Sequence, residues 1–289
     1  MIQDIAPKKM HNEYIPQNPS ENHAILVFCE NKVLVKDTES DIKLPNILEA
    51  EDAICRPEIT ICTGCLYLFC IDHEPYFLYP DFELPQDCLK PEEKKLRFVK
   101  VSDIRYRLER EMCFTVYTAY HLYRWYRNHQ YCGRCGTRTK LDGKERMIYC
   151  GRCGNQIYPV IAPAVIVAVI NGDQILLTKY ANREYSRYAL IAGFSEIGET
   201  AEETVCREVM EEVGLHVKNI RYYKSQPWGI DGNLLFGYFA DLDGDDTITM
   251  DPNELSVAEW VSREELKDVD DSFSLTREMM GMFARKNEK

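Results

Sequence analysis

Apolar and polar positions change their period several times along the chain. In 23-HAILVFCENKVLVK-36 two apolar stretches flank Asn31, which predicts a hairpin turning there. Apolar runs near 59–70 and 75–79, separated by a polar turn at Asp72 to Pro75, predict further strands and a mixed, strand-rich region. From about Ser102 to His129 the spacing lengthens, with Val116, Ala119, Tyr123 and Tyr126 three and four apart, predicting a helix that leads directly into Cys132. The segment 161-IAPAVIVAVINGDQILLTKY-180 has two apolar runs around Asn171-Gly172, the strongest short hairpin signal. Beyond it Val205, Val209 and Val213 repeat at four, Thr200 and Glu203 form a capping-box pair, and Gly214 stands where helices end in the left-handed conformation. A helix over 201–213 is predicted, with the valines as its buried stripe. No internal repeat or low-complexity segment interrupts this order.

Length and charge narrow the class. A chain of 289 residues can bury a real core, and its length suggests two domains rather than one. No opening segment has the pattern of a secretory signal, and no apolar run approaches the roughly 18 residues of a membrane span, so a soluble, cytoplasmic protein with no membrane partner is expected. A formal charge of −12 argues against indiscriminate binding to nucleic acid or anionic lipid. The basic residues Arg134, Arg138, Lys140, Lys144 and Arg146 read as a solvated face, and 241-DLDGDD-246 as an acidic turn without the ligand pattern of a calcium loop.

The twelve cysteines carry more information. In 131-YCGRCGTRTKLDGKERMIYCGRCGNQ-156, Cys132 and Cys135 form one CxxC pair and Cys150 and Cys153 a second, fourteen residues after the first. Each pair is followed by a glycine that lets the backbone turn so that both thiolates face one ion. Four thiolates with no open position make a structural zinc site, one zinc per chain. The pair Cys62 and Cys65 sits in an apolar, strand-like run with no second pair nearby and reads as core, as do the remaining cysteines.

Glu208, Glu211 and Glu212 lie within five residues on one side of the predicted helix, although like charges three and four apart repel by about a few tenths of a kcal/mol per pair. Alone they describe a solvated acidic face. A hard divalent cation such as Mg²⁺, sharing carboxylates from one helical turn, is the alternative. The segment 193-GFSEIGETAEETVCREVMEEVGL-215 decides between them, because it resembles the Nudix box at every fixed position: Gly193, Glu199, Arg207, Glu208, the apolar Val209, Glu211, Glu212, Gly214 and the apolar Leu215. The resemblance implies that Glu208, Glu211 and Glu212 bind catalytic Mg²⁺ or Mn²⁺, that Glu199 and Arg207 hold loop and helix together, and that the chain hydrolyses a nucleoside diphosphate linked to another group. Divalent metals would neutralise the pyrophosphate while a carboxylate takes a proton from the attacking water. Which glutamate is the base, or whether the metal's own water serves, stays open.

A four-cysteine ribbon just before the box, together with 225-SQPWGIDGN-233 after it, resembles the NADH pyrophosphatases within that superfamily. Gln226, Pro227 and Trp228 match, whereas Gly229 to Asn233 replace the family's Pro-Phe-Pro, variable residue and serine. The resemblance implies a substrate pocket containing Tyr158, Phe194, Gln226, Pro227, Trp228 and Asn233, with Tyr158 and Phe194 suited to stacking on a base. It also implies further metal ligands in Glu254 and the carbonyl of Ala192. The expected fold is α/β: a Nudix α/β/α sandwich with a mixed sheet (158–289), preceded by a zinc ribbon (130–157) and a smaller α+β N-terminal domain ending in a helix (1–129). The expected reaction is hydrolysis of NADH or NAD⁺ to nicotinamide mononucleotide and AMP by a homodimer, with removal of an NAD cap from RNA as an extension. Rival readings are a Nudix hydrolase for ADP-ribose or dinucleoside polyphosphates, and a zinc-ribbon module that binds nucleic acid or senses a nucleotide.

Overall fold

A computed structural model describes residues 1–37, 42–54, 64–79, 81–85, 87–90, 95–181, 187–266 and 273–285. The first part of the run predicted near 59–70, residues 59–63 with Cys62, lies outside them. Internal contacts divide the chain into two units, Gln3–Val160 with Gly229–Asp231, and Met1–Ile2 with Ile161–Trp228 and Gly232–Lys289.

The first unit contains β1 (Met10–His11), β2 (Ile25–Leu26), β3 (Phe28–Cys29), β4 (Lys32–Asp37), β5 (Ile42–Lys43), α1 (Ile47–Ala53), β6 (Leu66–Ile71), β7 (Glu74–Leu78), β8 (Leu96–Lys100), α2 (Arg110–Asn128), β9 (Lys140–Leu141), β10 (Ile148–Tyr149) and β11 (Gln156–Ile157). One sheet runs β1-β6-β7-β2, a second pairs β4 with β3, β5 and β8, and a third, β11-β10-β9, builds the ribbon. The hairpin predicted over 23–36 is only partly present. β3 and β4 turn through Glu30 and Asn31, with Glu30 at φ +52°, but Ile25–Leu26 leaves to pair in parallel with β7. The helix predicted from Ser102 is likewise divided. Val101–Tyr106 is a 3₁₀ turn that buries Val101 and Ile104, the spacing of three that a 3₁₀ turn stacks on one side, and the α-helix starts at Arg110. Along α2 the expected positions Val116, Ala119, Tyr123 and Tyr126 are all buried, and the Tyr123 ring packs 4.9 Å from that of Phe28.

The second unit contains β12 (Ala162–Asn171), β13 (Gln174–Tyr180), β14 (Ile191–Phe194), α3 (Ala201–Val213), β15 (Val217–Trp228), β16 (Asn233–Leu242), β17 (Leu255–Ser262) and α4 (Leu275–Ala284). Its sheet runs β15-β16-β12-β13-β17, with β14 also on β12; β12 and β16 are parallel and the other pairs antiparallel. The strand period of two places successive β12 side chains on opposite faces. Val165, Val167 and Val169 pack with Val205, Val209 and Val213 of α3, while Ile166, Ala168 and Ile170 pack with Leu275, Met279 and Phe283 of α4. Helices therefore cover both faces of a mixed sheet, the expected α/β/α sandwich. The β12–β13 turn is displaced by one residue from the predicted Asn171-Gly172. Asn171 pairs with Gln174, and Gly172 and Asp173 form the turn, with glycine taking the positive φ of +61° that its first central position requires.

Candidate metal centre and acidic box

In the ribbon the two CxxC pairs sit in matching turns. Gly136 and Gly154, both at φ +70°, close them by donating their amides to the carbonyls of Cys132 and Cys150 at 2.8 and 2.9 Å. The four Sγ atoms all lie within 4.8 Å of one another, with Cys132–Cys153 at 3.6 Å and Cys135–Cys150 at 3.5 Å. A tetrahedral zinc with Zn–S bonds of about 2.3 Å needs S···S edges of about 3.8 Å, so the cluster fits the ion. The Thr137 hydroxyl and backbone amide lower the Cys135 thiol to about 6, favouring the thiolate that binds metal. Among the described residues this is the one group of three or more His/Cys/Asp/Glu side chains whose ligand atoms already lie within 4.8 Å of one another.

Three residues of the first unit make contacts that local spacing does not show, and one of them corrects an expectation. Arg146 is not part of a solvated basic face; it reaches under the ribbon, donating to the Leu68 carbonyl at 2.6 Å and to Asn12, with its guanidinium over the Tyr14 ring. Tyr158 is half exposed, and its hydroxyl donates to Glu145 at 2.9 Å. Gly229, at the departure from SQPW-Pro-Phe-Pro, lies against α2, where a Cβ would stand 2.0 Å from the Tyr117 carbonyl oxygen, and Arg124 donates to the Ile230 carbonyl at 2.7 Å. The tip of that loop is thus fitted to backbone.

In the second unit the helix α3 spans the predicted residues, with the Thr200–Glu203 capping box formed and Gly214 left-handed at φ +70°. Its glutamates do not share one solvated face. Glu211 is exposed, whereas Glu208 and Glu212 retain only 8% and 2% of their accessible surface. Side chains at i and i+4 do align, but the packing of α3 encloses two of the three, Glu208 against β14. The Glu208 carboxyl rests on the backbone of Gly193, where any Cβ would stand 1.9 Å from its carboxyl carbon. Burial raises the pKa of Glu208; Arg207 opposes the rise, and the charges of Glu211 and Glu254 add to it.

Arg207 is the hub of the cluster. Nε donates to Glu199 Oε1 at 2.6 Å, Nη2 to Glu199 Oε2 at 2.9 Å and to the Phe194 carbonyl at 2.8 Å, and Nη1 to Glu208 and Glu211 at 2.7 and 3.0 Å. Glu199 is pulled down to about 2, first by this guanidinium and then by the Glu196 amide. Its Oε2 also accepts from the Thr204 hydroxyl at 3.0 Å. Thr204 is absent from the sequence-derived set; its one signal is a polar β-branched residue one turn after the Thr200 cap.

Ala192 lies in β14 opposite Ile166 of β12, and the Phe194 ring is half exposed. Glu254 is exposed just before β17, and its carbonyl accepts from the Ala181 amide at 2.8 Å. Gln226 is fully buried: its Nε2 donates to the Phe273 carbonyl at 3.2 Å and its Oε1 accepts from the Leu275 amide at 2.8 Å, clamping the start of α4. Pro227 is exposed, Trp228 half-buried, and Asn233 buried at the start of β16. Cys206 on α3 is exposed, contrary to the core reading, while Cys29, Cys70, Cys88 and Cys113 are buried. Cys206 lies beside the valine stripe, about 100° round the helix from Val205. Among the described residues no helix is long and apolar enough to cross a membrane.

Residues 160–279 match the family profile described as NUDIX domain, and residues 127–158 the one described as NADH pyrophosphatase zinc ribbon domain. Curated relatives include the "NAD-capped RNA hydrolase NudC" of Enterobacter sp. (strain 638), 43% identical over 142 residues, which are 49% of this chain and 55% of that protein. The protein of the same name from Pectobacterium atrosepticum is 41% identical over 142 residues, 49% of this chain and 54% of that one. The chain spans about half the length of the curated relatives it matches. Among solved structures, a NUDIX hydrolase from Nitrosomonas europaea aligns with 54% of this chain and 90% of its own, at 22% identity and a TM-score of 0.47. The chain carries a Nudix domain and, directly before it, an NADH pyrophosphatase zinc ribbon.

Proposed function

We propose that this chain hydrolyses the pyrophosphate bond of NADH or NAD⁺, yielding nicotinamide mononucleotide and AMP, and that it acts on the same bond in NAD-capped RNA. The observation that carries the proposal is the NADH pyrophosphatase zinc ribbon directly before the Nudix domain; the seating of Glu208 on the bare backbone of Gly193, with Glu211 and Glu254 raising its pKa further, supports a cation site on α3. Charge concentrated and partly buried in this way is stabilised by a divalent cation. Glu208, Glu212, Glu211, Glu254 and the carbonyl of Ala192 would hold Mg²⁺ or Mn²⁺. When bound, such an ion offsets the charge of the pyrophosphate and lowers the pKa of a coordinated water.

The remaining roles follow from what the side chains touch. Arg207, with Glu199, fixes the helix against the loop that begins at Phe194. One of the box glutamates accepts the proton of the attacking water as the phosphate–oxygen bond to the leaving nucleotide breaks. Phe194 and Tyr158 each offer an exposed ring for base stacking, Gln226 sets the start of α4, and Pro227, Trp228 and Asn233 are proposed as further substrate-binding residues on the family resemblance. We further propose the division into an N-terminal domain (1–129), a ribbon (130–157) and a catalytic domain (158–289), assembly as a homodimer, and a cytoplasmic location.

The loop Gly229 to Asn233 favours keeping a second specificity, for ADP-ribose or a dinucleoside polyphosphate, in the test. The protein is incubated with Mg²⁺ or Mn²⁺ and equal amounts of NADH, NAD⁺, ADP-ribose, a dinucleoside tetraphosphate and NAD-capped RNA, and the products are weighed by mass spectrometry. AMP and the mononucleotide from NADH, absent with Glu208→Gln, are the expected result. Cleavage of ADP-ribose far faster than NADH would overturn the substrate assignment, and no turnover of any would overturn the enzyme itself.

A further inference from the structure

We propose that Thr204 is a positioning residue for the carboxylates of α3, acting through Glu199 and Arg207; the proposal rests on the hydrolase reading above. Thr204 is completely buried, and its hydroxyl stands 3.0 Å from both Glu199 Oε2 and the carbonyl of Thr200. A hydroxyl has one proton to donate, and a bond to a carboxylate is roughly twice as strong as one to a neutral carbonyl, so the proton belongs to Glu199.

That bond is the tie between Glu199 and the buried side of α3. The other donors to Glu199 come from the Glu196 amide in the loop and from Arg207, which makes two bonds to Glu199 beside its bond to the Phe194 carbonyl. Both members of the Arg207–Glu199 pair are partly open to water, with 25% and 21% of their side-chain surface exposed. Arg207 in turn touches one oxygen each of Glu208 and Glu211. The sequence of contacts therefore runs from a buried hydroxyl to two candidate metal ligands. Without it, Glu199 and Arg207 keep each other, but Glu199 loses its bond to the buried side of the helix and is held there only through the partly open guanidinium.

The test measures Mn²⁺ binding to substrate-free protein by electron paramagnetic resonance of the free ion, alongside NADH kinetics and thermal unfolding. Thr204→Val, which keeps shape and burial, is expected to weaken Mn²⁺ binding about tenfold, the lower end of what outer-shell partners contribute. KM for NADH at saturating metal should not move, Thr204→Ser should bind as the native protein does, and Thr204→Val combined with Glu199→Gln should be no weaker than Glu199→Gln alone, because residues acting in series are not additive. Thr204→Ala serves the same comparison if the valine variant does not fold. Native Mn²⁺ affinity in the folded valine or alanine variant would overturn the proposal. So would an equal loss in the serine variant, or strictly additive losses in the double variant. If the native protein binds Mn²⁺ but turns over no nucleotide, the hydrolase reading falls and the binding data alone decide the role of Thr204.

Discussion

The ribbon and the acidic box are two candidate metal-binding clusters built on opposite principles. In the ribbon all ligands come from a 22-residue stretch, two tight turns aim them inward, and the sulfurs already stand at tetrahedral spacing. In the box the carboxylates come from α3 and from Glu254 some forty residues later, and the Arg207 guanidinium bridges Glu208 and Glu211. A closed thiolate site is set by local backbone geometry. An open carboxylate site needs tertiary packing to gather its members and a resident cation to steady them. This difference fits a structural role for the first and a catalytic role for the second, since chemistry requires positions that substrate and water can enter.

The largest effect that separates the two should come from the ribbon. Cys150→Ser removes one of four ligands, and structural zinc contributes on the order of 10 kcal/mol to the folding of small zinc domains. Zinc content well below one equivalent and rapid amide exchange over 130–157 are expected, measured by metal analysis and mass spectrometry. Native zinc content in this variant would count against the closed site.

Glu208→Gln should separate activity from stability. Turnover is expected to fall about 100-fold or more, as for loss of a group that works in the transition state. Stability should move the other way. Burial raises the folded pKa of Glu208 above its ordinary 4.5, so the native protein loses stability as pH rises from there through the folded value, and the amide does not. In chelator at neutral pH the variant should therefore melt at a higher temperature than the native protein, a difference that added Mn²⁺ should reverse.

Gly193→Ala is the steric counterpart. Its methyl would overlap the Glu208 carboxyl, so the side chain must leave its seat, at a packing cost of about 1–3 kcal/mol. Mn²⁺ affinity should fall with little change in circular dichroism. A fully active alanine variant would show that Glu208 works from another position.

The smallest effect is the pH dependence of the arginine clamp. Glu199 is held at about 2, against an ordinary 4.5, by the Arg207 guanidinium. A depressed carboxylate contributes stability that is present above about 4.5 and is lost as pH falls through about 2. The difference in urea midpoint between native protein and Glu199→Gln should be constant near neutrality and shrink only below about pH 4.5. A difference that vanished near pH 6 would place the clamp's stability elsewhere.

Much of this was readable from local spacing. The CxxC pairs, the Thr200–Glu203 cap, the valine stripe and Gly214 each specify a feature within a few residues, and each appears as expected. Features that depend on a neighbour distant in sequence were not readable. Ile25 and Leu26 pair with β7 because a strand partner some fifty residues away competes with the local hairpin. Arg146 looks like any surface arginine until the carbonyl of Leu68 is brought beneath it. Cys206 carries nothing in its own identity to say that its side of α3 faces outward.

The sequence by itself determined the chemistry available to this protein: four thiolates in paired turns, and three glutamates beside an arginine on a capped helix. Short-range backbone geometry suffices for that, because residues within one or two turns have few ways to be arranged. Only the tertiary structure decided how that chemistry is held. It seated Glu208 on Gly193, enclosed Glu212 while leaving Glu211 in water, and fixed Glu199 to a buried hydroxyl. Burial and close approach belong to pairs of surfaces, and no stretch of one chain segment encodes the surface it will meet.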